Sequence, residues 1–269
     1  MGDRVVVAMS GGVDSSVAAA LLVERGYDVI GITMRLWSEE TPFGFRHQRR
    51  CCSVEDTDDA RRVCSVLGIP HYILNMEEPF RDEVVDYFVG EYANGRTPNP
   101  CLACNDRVKF RPLLERAMTF DARYLATGHY ARVEGGADGH RLLKAADPAK
   151  DQSYVLFQLG QSELEHVLFP VGASRKEDIR EIGRRIGLPN ADKPDSVDIC
   201  FIPDGDLRGF LDARLESRPG PVVDLAGNTI GEHGGVATLT VGQRKGLGIA
   251  KGEPLYVIAL DPVENRVVA

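Results

Sequence analysis

Nowhere in these 269 residues is there a run approaching the ~20 consecutive apolar side chains that a membrane-spanning helix needs. Internal repeats and low-complexity tracts are missing as well, which excludes solenoids and disordered arrays. The amino terminus runs straight into an apolar segment and shows no signal-peptide pattern. The expectation is a soluble, cytoplasmic chain with no membrane partner. Positive charge is also in short supply, because 32 Lys and Arg face 40 Asp and Glu, a net charge of −8. That balance is awkward for a nucleic-acid enzyme, whose backbone contacts need cations, but net charge does not describe local patches. Arg46-His47-Gln48-Arg49-Arg50 is one such patch, and Arg175, Lys176, Arg180, Arg184 and Arg185 form another along a predicted helix. Either serves as solvated surface charge or as an RNA contact.

What is present supports a globular enzyme. An apolar fraction of 43% builds a proper core without disulfide staples, and the length fits one large domain and one small one. The chain is organised around Ala8-Met9-Ser10-Gly11-Gly12-Val13-Asp14-Ser15-Ser16. A β-branched run, Arg4 to Val7, precedes it and reads as a buried strand. Val17, Ala18, Leu21 and Leu22 follow at helical spacing until Gly26, and Val29 to Met34 reads as a second strand. The Gly-rich turn therefore joins a strand to a helix. There the backbone can approach an anion closely, and the exposed amides favour phosphate. No Lys-Ser or Lys-Thr follows the glycines, and Gly-x-Gly-x-x-Gly is absent, so neither common phosphate fingerprint applies. Ser-Gly-Gly-Val-Asp-Ser resembles instead the PP-loop of ATP pyrophosphatases, which implies a grip on the β- and γ-phosphates of ATP and transfer of AMP to a substrate oxygen.

Further along, predicted helices cover Asp56 to Leu67 and Phe80 to Tyr92, with Asn94-Gly95 as a C-cap signal. Thr97-Pro98-Asn99-Pro100 must run extended, and Cys104 or Asn105 opens the next helix. Tyr72 to Leu74 and Arg123 to Thr127 read as strands, Ala131 to Leu143 as a hairpin, and Tyr154 to Leu159 as an apolar helix. Ser174 to Glu177 is a capping-box pattern opening another helix, Val197 to Ile202 is strand-like, and Asp206 to Leu215 is a last helix. Strands alternating with helices predict an α/β fold with a doubly wound parallel sheet, whose ligands bind beyond the carboxyl ends of the strands. Glycine-split β runs after Pro219 (Val222-Val223, Val236 to Val241, Leu255 to Leu260) predict a small β-rich domain. The expected division is 1–205 for the ATP-binding, catalytic domain and 206–269 for the adaptor.

Six cysteines in a cytosolic chain argue for chemistry or metal rather than a disulfide framework. Cys101 and Cys104 share a Cys-x-x-Cys at a predicted helix amino terminus, where a thiol is activated. No second pair lies at zinc-finger spacing. Cys200 is able to return to the same cleft or to serve as a small core residue. Cys64 reads as core, and Cys51 and Cys52 receive no role.

Taken together these stretches resemble the tRNA-specific 2-thiouridylases. The matching residues are Ala8–Ser15, Thr97–Pro100 with Cys104-Asn105 and Lys109-Phe110, Thr127–Tyr130, Lys150–Tyr154, Asp198–Ile202 and Val241–Gly248. The resemblance implies that ATP adenylates the 2-carbonyl oxygen of the wobble uridine of tRNA, and that sulfur then displaces AMP. It implies that Ala8, Met9, Ser10, Gly11, Gly12, Val13, Asp14 and Ser15 hold ATP with Mg²⁺, with Met34 and Gly128 beside the adenosine. Cys200 would carry sulfur as a persulfide and Cys104 would release it, with a Cys104–Cys200 disulfide forming in turnover. Asn99, Pro100 and Cys101 would border the target base, and His129, Lys150, Asp151 and Gln152 would touch tRNA. A cysteine desulfurase or sulfur-relay protein would supply the sulfur. Many members carry Asp where this chain has Cys101. Cys101, Cys104 and Cys200 are therefore alternative ligands of an iron–sulfur cluster with one iron open for sulfide. The family's carboxy-terminal β-barrel has no counterpart before Ala269, so a trimmed or short form is expected. Two other readings fit the phosphate loop alone: an ATP pyrophosphatase that adenylates a small molecule, and a non-catalytic nucleotide or sulfur carrier.

Overall fold

The computed structural model describes residues 2–36, 54–195, 199–202, 205–249 and 254–269. The basic run 46–50, Cys51, Cys52 and Asp198 lie outside the described residues. The chain divides into two compact units, Met1–Glu83 with Cys101–Pro203, and Val84–Pro100 with Asp204–Ala269.

The first unit is built on a five-stranded sheet in which every pairing is parallel. Its elements are β1 (Arg4–Ala8), α1 (Val13–Glu24), β2 (Asp28–Arg35), α2 (Val54–Leu67), β3 (His71–Asn75), α3 (Arg111–Thr119), β4 (Tyr124–Ala126), the hairpin of β5 (Ala131–Gly136) and β6 (Gly139–Lys144), β7 (Val167–Leu168) and α4 (Lys176–Arg185). The strand order is β3-β2-β1-β4-β7. The chain steps from β1 to one side and later returns to the other, so the topological switch lies between β1 and β4. In such sheets the ligand crevice opens there, past the carboxyl ends of the strands. Val5, Val6 and Val7 are fully buried, as a parallel strand covered on both faces must be. Val13, Val17, Ala18 and Leu22 of α1 pack with Ile179 of α4 over one face.

Three predicted elements come out differently. The helix expected to open at Cys104 or Asn105 starts at Pro100, because proline suits a first helical position. It then widens into a π-turn over Cys104–Phe110 before α3. Residues 154–159 do not form a helix, and only Ser153–Val155 makes one 3-10 turn. Residues 199–202 form a turn rather than a strand, with Ile202 N–H donating to Ile199 O at 3.0 Å. The outer position next to β4 is taken by β7, two residues long and invisible to periodicity. The capping box also shifts by one residue, since Arg175 is the N-cap and its N–H donates to Asp178 at 3.2 Å.

The second unit holds a four-stranded sheet of β8 (Gly220–Val223), β9 (Thr229–His233), β10 (Ala259–Asp261) and β11 (Arg266–Val268), in the order β10-β11-β8-β9. Val222, Leu239, Leu247, Val257 and Val267 form its core. Val236–Thr238, predicted as strand, is a 3-10 turn. The helix Tyr87–Ala93 belongs to this unit, with Phe88 edge-on to Phe210 at 6.2 Å. Gly95 ends that helix at a φ of 66° and packs on Pro262, and Thr97 reaches Thr240 at 3.2 Å. Among the described residues no helix is long and apolar enough to cross a membrane.

Leu125, fully buried on β4 opposite Val6 and Val167, tests the sheet core. Leu125→Ala is expected to cost about 2–5 kcal/mol, read as a lowered urea midpoint with an unchanged slope.

Candidate functional site

The turn after β1 is shaped by one left-handed residue and a ring of hydroxyls. Gly11 has a φ of 73°, and a Cβ there would meet the carbonyl oxygen of Asp56 at 2.2 Å. Only glycine fits. Ser15 Oγ donates to Gly12 O at 3.1 Å and accepts from Ser10 N–H at 3.2 Å, while Ser16 Oγ donates to Gly12 O at 2.9 Å. Asn190, buried to 3% exposure, donates from Nδ2 to both Gly11 O and Ser16 Oγ at 2.9 Å. The hydroxyls and the amide thus hold the Gly11 and Gly12 carbonyls, while the Ser10 and Gly12 N–H groups donate to Ser15 Oγ and Ser10 Oγ at 3.2 and 3.5 Å. Helix α1 begins at Gly12 without a side-chain cap, and a Cβ on Gly12 would meet only Ser10 Oγ, at 3.5 Å. Space therefore opens above an uncapped helix amino terminus, and a phosphate chain fits that arrangement. Ala8 and Met9 lead into it, Met9 N–H bonding Ile32 O at 2.8 Å; Val13 is buried, and Met34 sits buried near the end of β2.

Asp14 ties this loop to the rest of the unit. Lys176 Nζ lies 2.7 Å from both its oxygens, and Tyr130 OH donates to Oδ1 at 2.8 Å. Lys176 is 8% exposed and also reaches Asp195 at 2.8 Å, a carboxylate shared with Lys150 and Arg180. Burial pushes the Asp195 carboxyl up, but Lys150 and Lys176 outweigh it and hold it down at about 2. Burial, then the neighbouring Asp14 charge, pushes the Tyr130 hydroxyl well above its ordinary range, so it stays a donor. A second lysine, Lys193, bridges Asp56 and Asp59 beneath the loop. In this arrangement Asp14 is engaged in holding the turn.

The loop after β4 closes the crevice. A Cβ on Gly128 would meet Ser15 N at 2.6 Å and the Asp14 carbonyl carbon at 2.7 Å, so the two strand-end loops touch backbone to backbone. His129 hydrogen-bonds Thr127 Oγ1 at 2.7 Å, and its ring packs among Phe110 and Phe169. Burial first, and the Lys109 charge second, lower its pKa to about 3, so it is a neutral imidazole at physiological pH. Lys150, Asp151 and Gln152 all make bonds within the unit. Lys150 pairs with Asp195, Asp151 accepts from Ala145 N–H at 2.9 Å and Ser153 Oγ at 2.9 Å, and Gln152 Oε1 accepts from Tyr130 N–H at 2.9 Å.

Cys101 is exposed in the Pro100–Ala103 helix, and Cys104 is buried at the start of the π-turn. Cys200 is half-buried in the 199–202 turn beside Phe201, whose ring meets Phe80 edge-on at 5.7 Å. Asn99 is exposed and Pro100 buried. Cys64 packs in the core as read from sequence, and burial pushes its thiol up to about 11. Among the described residues no three His, Cys, Asp or Glu side chains gather closely enough to hold a metal ion. Cys101, Cys104 and Cys200 therefore form no such group. Sequence reasoning missed Asn190, Lys193 and Asp195. It took Lys176 and Arg180 for one surface patch with Arg184. Their i, i+4 spacing was the available signal of a shared helix face.

Residues 3–204 match the family model described as the tRNA methyl transferase HUP domain, and residues 208–269 the tRNA methyl transferase PRC-barrel domain. A curated relative from Chloroflexus aurantiacus is 52% identical over 98% of this chain and 74% of its own length. One from a Thermoanaerobacter species is 50% identical, covering 99% and 74%, and one from Heliobacterium modesticaldum is 53% identical, covering 100% and 70%. Each carries the name tRNA-specific 2-thiouridylase MnmA.

Two outcomes follow from this geometry. Gly128→Ala drives a methyl group into the Asp14–Ser15 backbone and is expected to weaken ATP binding at least about tenfold, a 1.4 kcal/mol loss, measured by calorimetric titration. The His129 ring, with a folded pKa of about 3 against an ordinary 6.5, lends stability that is full above pH 6.5 and lost as pH falls toward 3. The urea-derived stability is expected to decline between pH 6.5 and 4 with a component of about one proton. His129→Gln is expected to remove that component.

Proposed function

The chain belongs to the tRNA-specific 2-thiouridylase family, and from that premise we propose that it replaces the 2-oxygen of the wobble uridine of tRNA with sulfur. The single observation that carries the nucleotide half is the uncapped α1 amino terminus, open above Gly12 and fixed through Asp14. A thiolation needs the two things these residues would supply, an ATP grip and thiols.

The chemistry starts from a poor leaving group. The uridine 2-oxygen attacks the α-phosphorus of ATP and pyrophosphate departs, which leaves AMP on the base. The uncapped amino terminus of α1 and the hydroxyl of Ser10 would hold the phosphates in line. Met34 and Gly128 would flank the adenosine. Mg²⁺ would travel with the triphosphate, as divalent ions do when phosphates supply much of the coordination. A persulfide on Cys200 then attacks C2 through its outer sulfur, and AMP leaves with the oxygen. Cys104 thiolate attacks the inner sulfur, the S–S bond to the base breaks, and its electron pair goes to the new thiocarbonyl. The products are 2-thiouridine and a Cys104–Cys200 disulfide, which a cellular thiol reductant reopens before a desulfurase or relay protein reloads Cys200. Asn99, Pro100 and Cys101 would border the base. Lys150, Asp151 and Gln152 would face tRNA, and His129 would support that surface as a neutral group. The persulfide route is preferred to a cluster because it asks chemistry of only two thiols, Cys104 and Cys200, and no group of three side chains able to hold a metal ion is found among the described residues. A cytoplasmic setting suits both the substrate and reduced thiols.

Incubation with ATP, a persulfide donor and unmodified tRNA is the test, read by nucleoside mass spectrometry. Wild type is expected to form 2-thiouridine and AMP. Cys104→Ser and Cys200→Ser are each expected to lose thiolation by at least about a hundredfold, as removal of a nucleophile does, while ATP binding persists. AMP formation that ignores tRNA would favour a small-molecule substrate instead.

A further inference from the structure

We infer that Tyr154 and Phe157 form a stacking platform for RNA bases. The inference rests on the tRNA reading above and adds to it the protein surface that meets the bases. Val155 and Leu156 are 5% and 1% exposed, whereas Tyr154 and Phe157 on either side of them are 62% and 64% exposed. Two buried aliphatics thus anchor the turn while two aromatic rings face water. Ser153–Val155 is a 3-10 turn, extended by bonds from Leu156 N–H to Ser153 O at 3.1 Å and Leu159 N–H to Leu156 O at 3.0 Å. Tyr154 lies inside that turn and Phe157 just past its end, two exposed rings within four residues. The turn is pinned from beneath. Asp151 accepts from Ser153 Oγ at 2.9 Å, and Asn105 Nδ2 donates to Val155 O at 3.3 Å. That second bond fastens the platform to the residue following Cys104.

The surroundings favour RNA over a protein. From Gln152 to Ser162 the chain carries no charged side chain, so nothing there repels phosphate. The helical run to which Asn105 fastens the turn carries Arg107, Lys109 and Arg111. Arg111 is 70% exposed and pairs with Asp106 at 3.5 Å. Such exposed pairs contribute little and yield to a phosphate. Exposed aromatic faces on a segment fastened to an arginine- and lysine-bearing run are the composition that binds unstacked bases and their backbone. A protein-docking patch would continue into further exposed apolar side chains, but exposed Gln158 comes next and Leu159 is half-buried, with Gly160, Gln161 and Ser162 after it.

Tyr154→Ala and Phe157→Ala in the full chain test this, titrated with an unmodified tRNA transcript bearing 2-aminopurine beside the wobble position. Each variant is expected to weaken binding about 5- to 150-fold, the worth of one base stack, and to lose quenching of the 2-aminopurine. The slope of log Kd against log salt is expected to stay unchanged, because no phosphate contact is removed. Tyr154→Phe and Phe157→Tyr are expected to restore wild-type binding, which a merely misfolded turn would not allow. Alanine variants that bind and quench like wild type overturn the inference. So does intact RNA binding with failed sulfur uptake from a persulfide-donor protein, which would assign the rings to that partner. Wild type that binds and quenches through these rings yet forms no 2-thiouridine upholds the platform and sinks the thiolation reading instead.

Discussion

The Asp14 carboxylate, held by Lys176 and Tyr130, is the interaction on which the first unit's crevice depends. A carboxylate at the start of a helix is favoured by the helix field, yet it also competes with any incoming phosphate for the same amides. Placing an ammonium on both its oxygens cancels that competition. The same contact fixes α1 against α4, so the phosphate loop is oriented by an element that begins 162 residues later. Removing either partner would leave a charge with little solvent in a crowded place, which is the costly way to break such a pair.

Topology explains why these parts meet. β1 and β4 are neighbours, and the switch of direction between them leaves a crevice that no crossover helix covers. The loops leaving both strands must share it, and they do so with no side chain between Gly128 and the Asp14–Ser15 backbone. Asn190 and Lys193 then reach the loop from the segment after α4, one holding the Gly11 carbonyl and the other the two α2 carboxylates beneath it. The phosphate turn is therefore braced by groups from four separate stretches of chain, and it owes little to its own local propensity.

That division also sets how much of the site was legible. The Ser-Gly-Gly-Val-Asp-Ser turn, its strand and its helix could be read directly, because glycine conformations and apolar periods are local. The braces could not, since Lys176 and Asp195 acquire their roles only through partners distant in sequence. Cys200 shows the opposite failure. Ile199, Phe201 and Ile202 supply the apolar texture of a strand, but Phe201 and Ile202 bury their side chains from a turn, and burial alone does not distinguish the two. The π-turn at Cys104 left no trace either, because its residues keep an ordinary helical pattern and only the hydrogen-bond partners change.

One carboxylate joins the two halves of the chemistry. Asp195 holds Lys176, which grips the nucleotide loop, and also Lys150, which opens the segment leading to Gln152 and Tyr154. Gln152 in turn accepts from the backbone of Tyr130, whose hydroxyl rests on Asp14. The segment proposed for RNA and the loop proposed for ATP are thus linked by a run of contacts through Lys150, Asp195, Lys176, Asp14, Tyr130 and Gln152, its two ends joined along the chain. Such a linked set of charged and hydrogen-bonded groups cannot lose one member without altering the field at its neighbours. Phosphate drawn to Lys150 would leave Asp195 with one cation fewer, and its hold on Lys176 would tighten at the expense of Asp14. Substrates placed as proposed at the two ends of this run would share one electrostatic network.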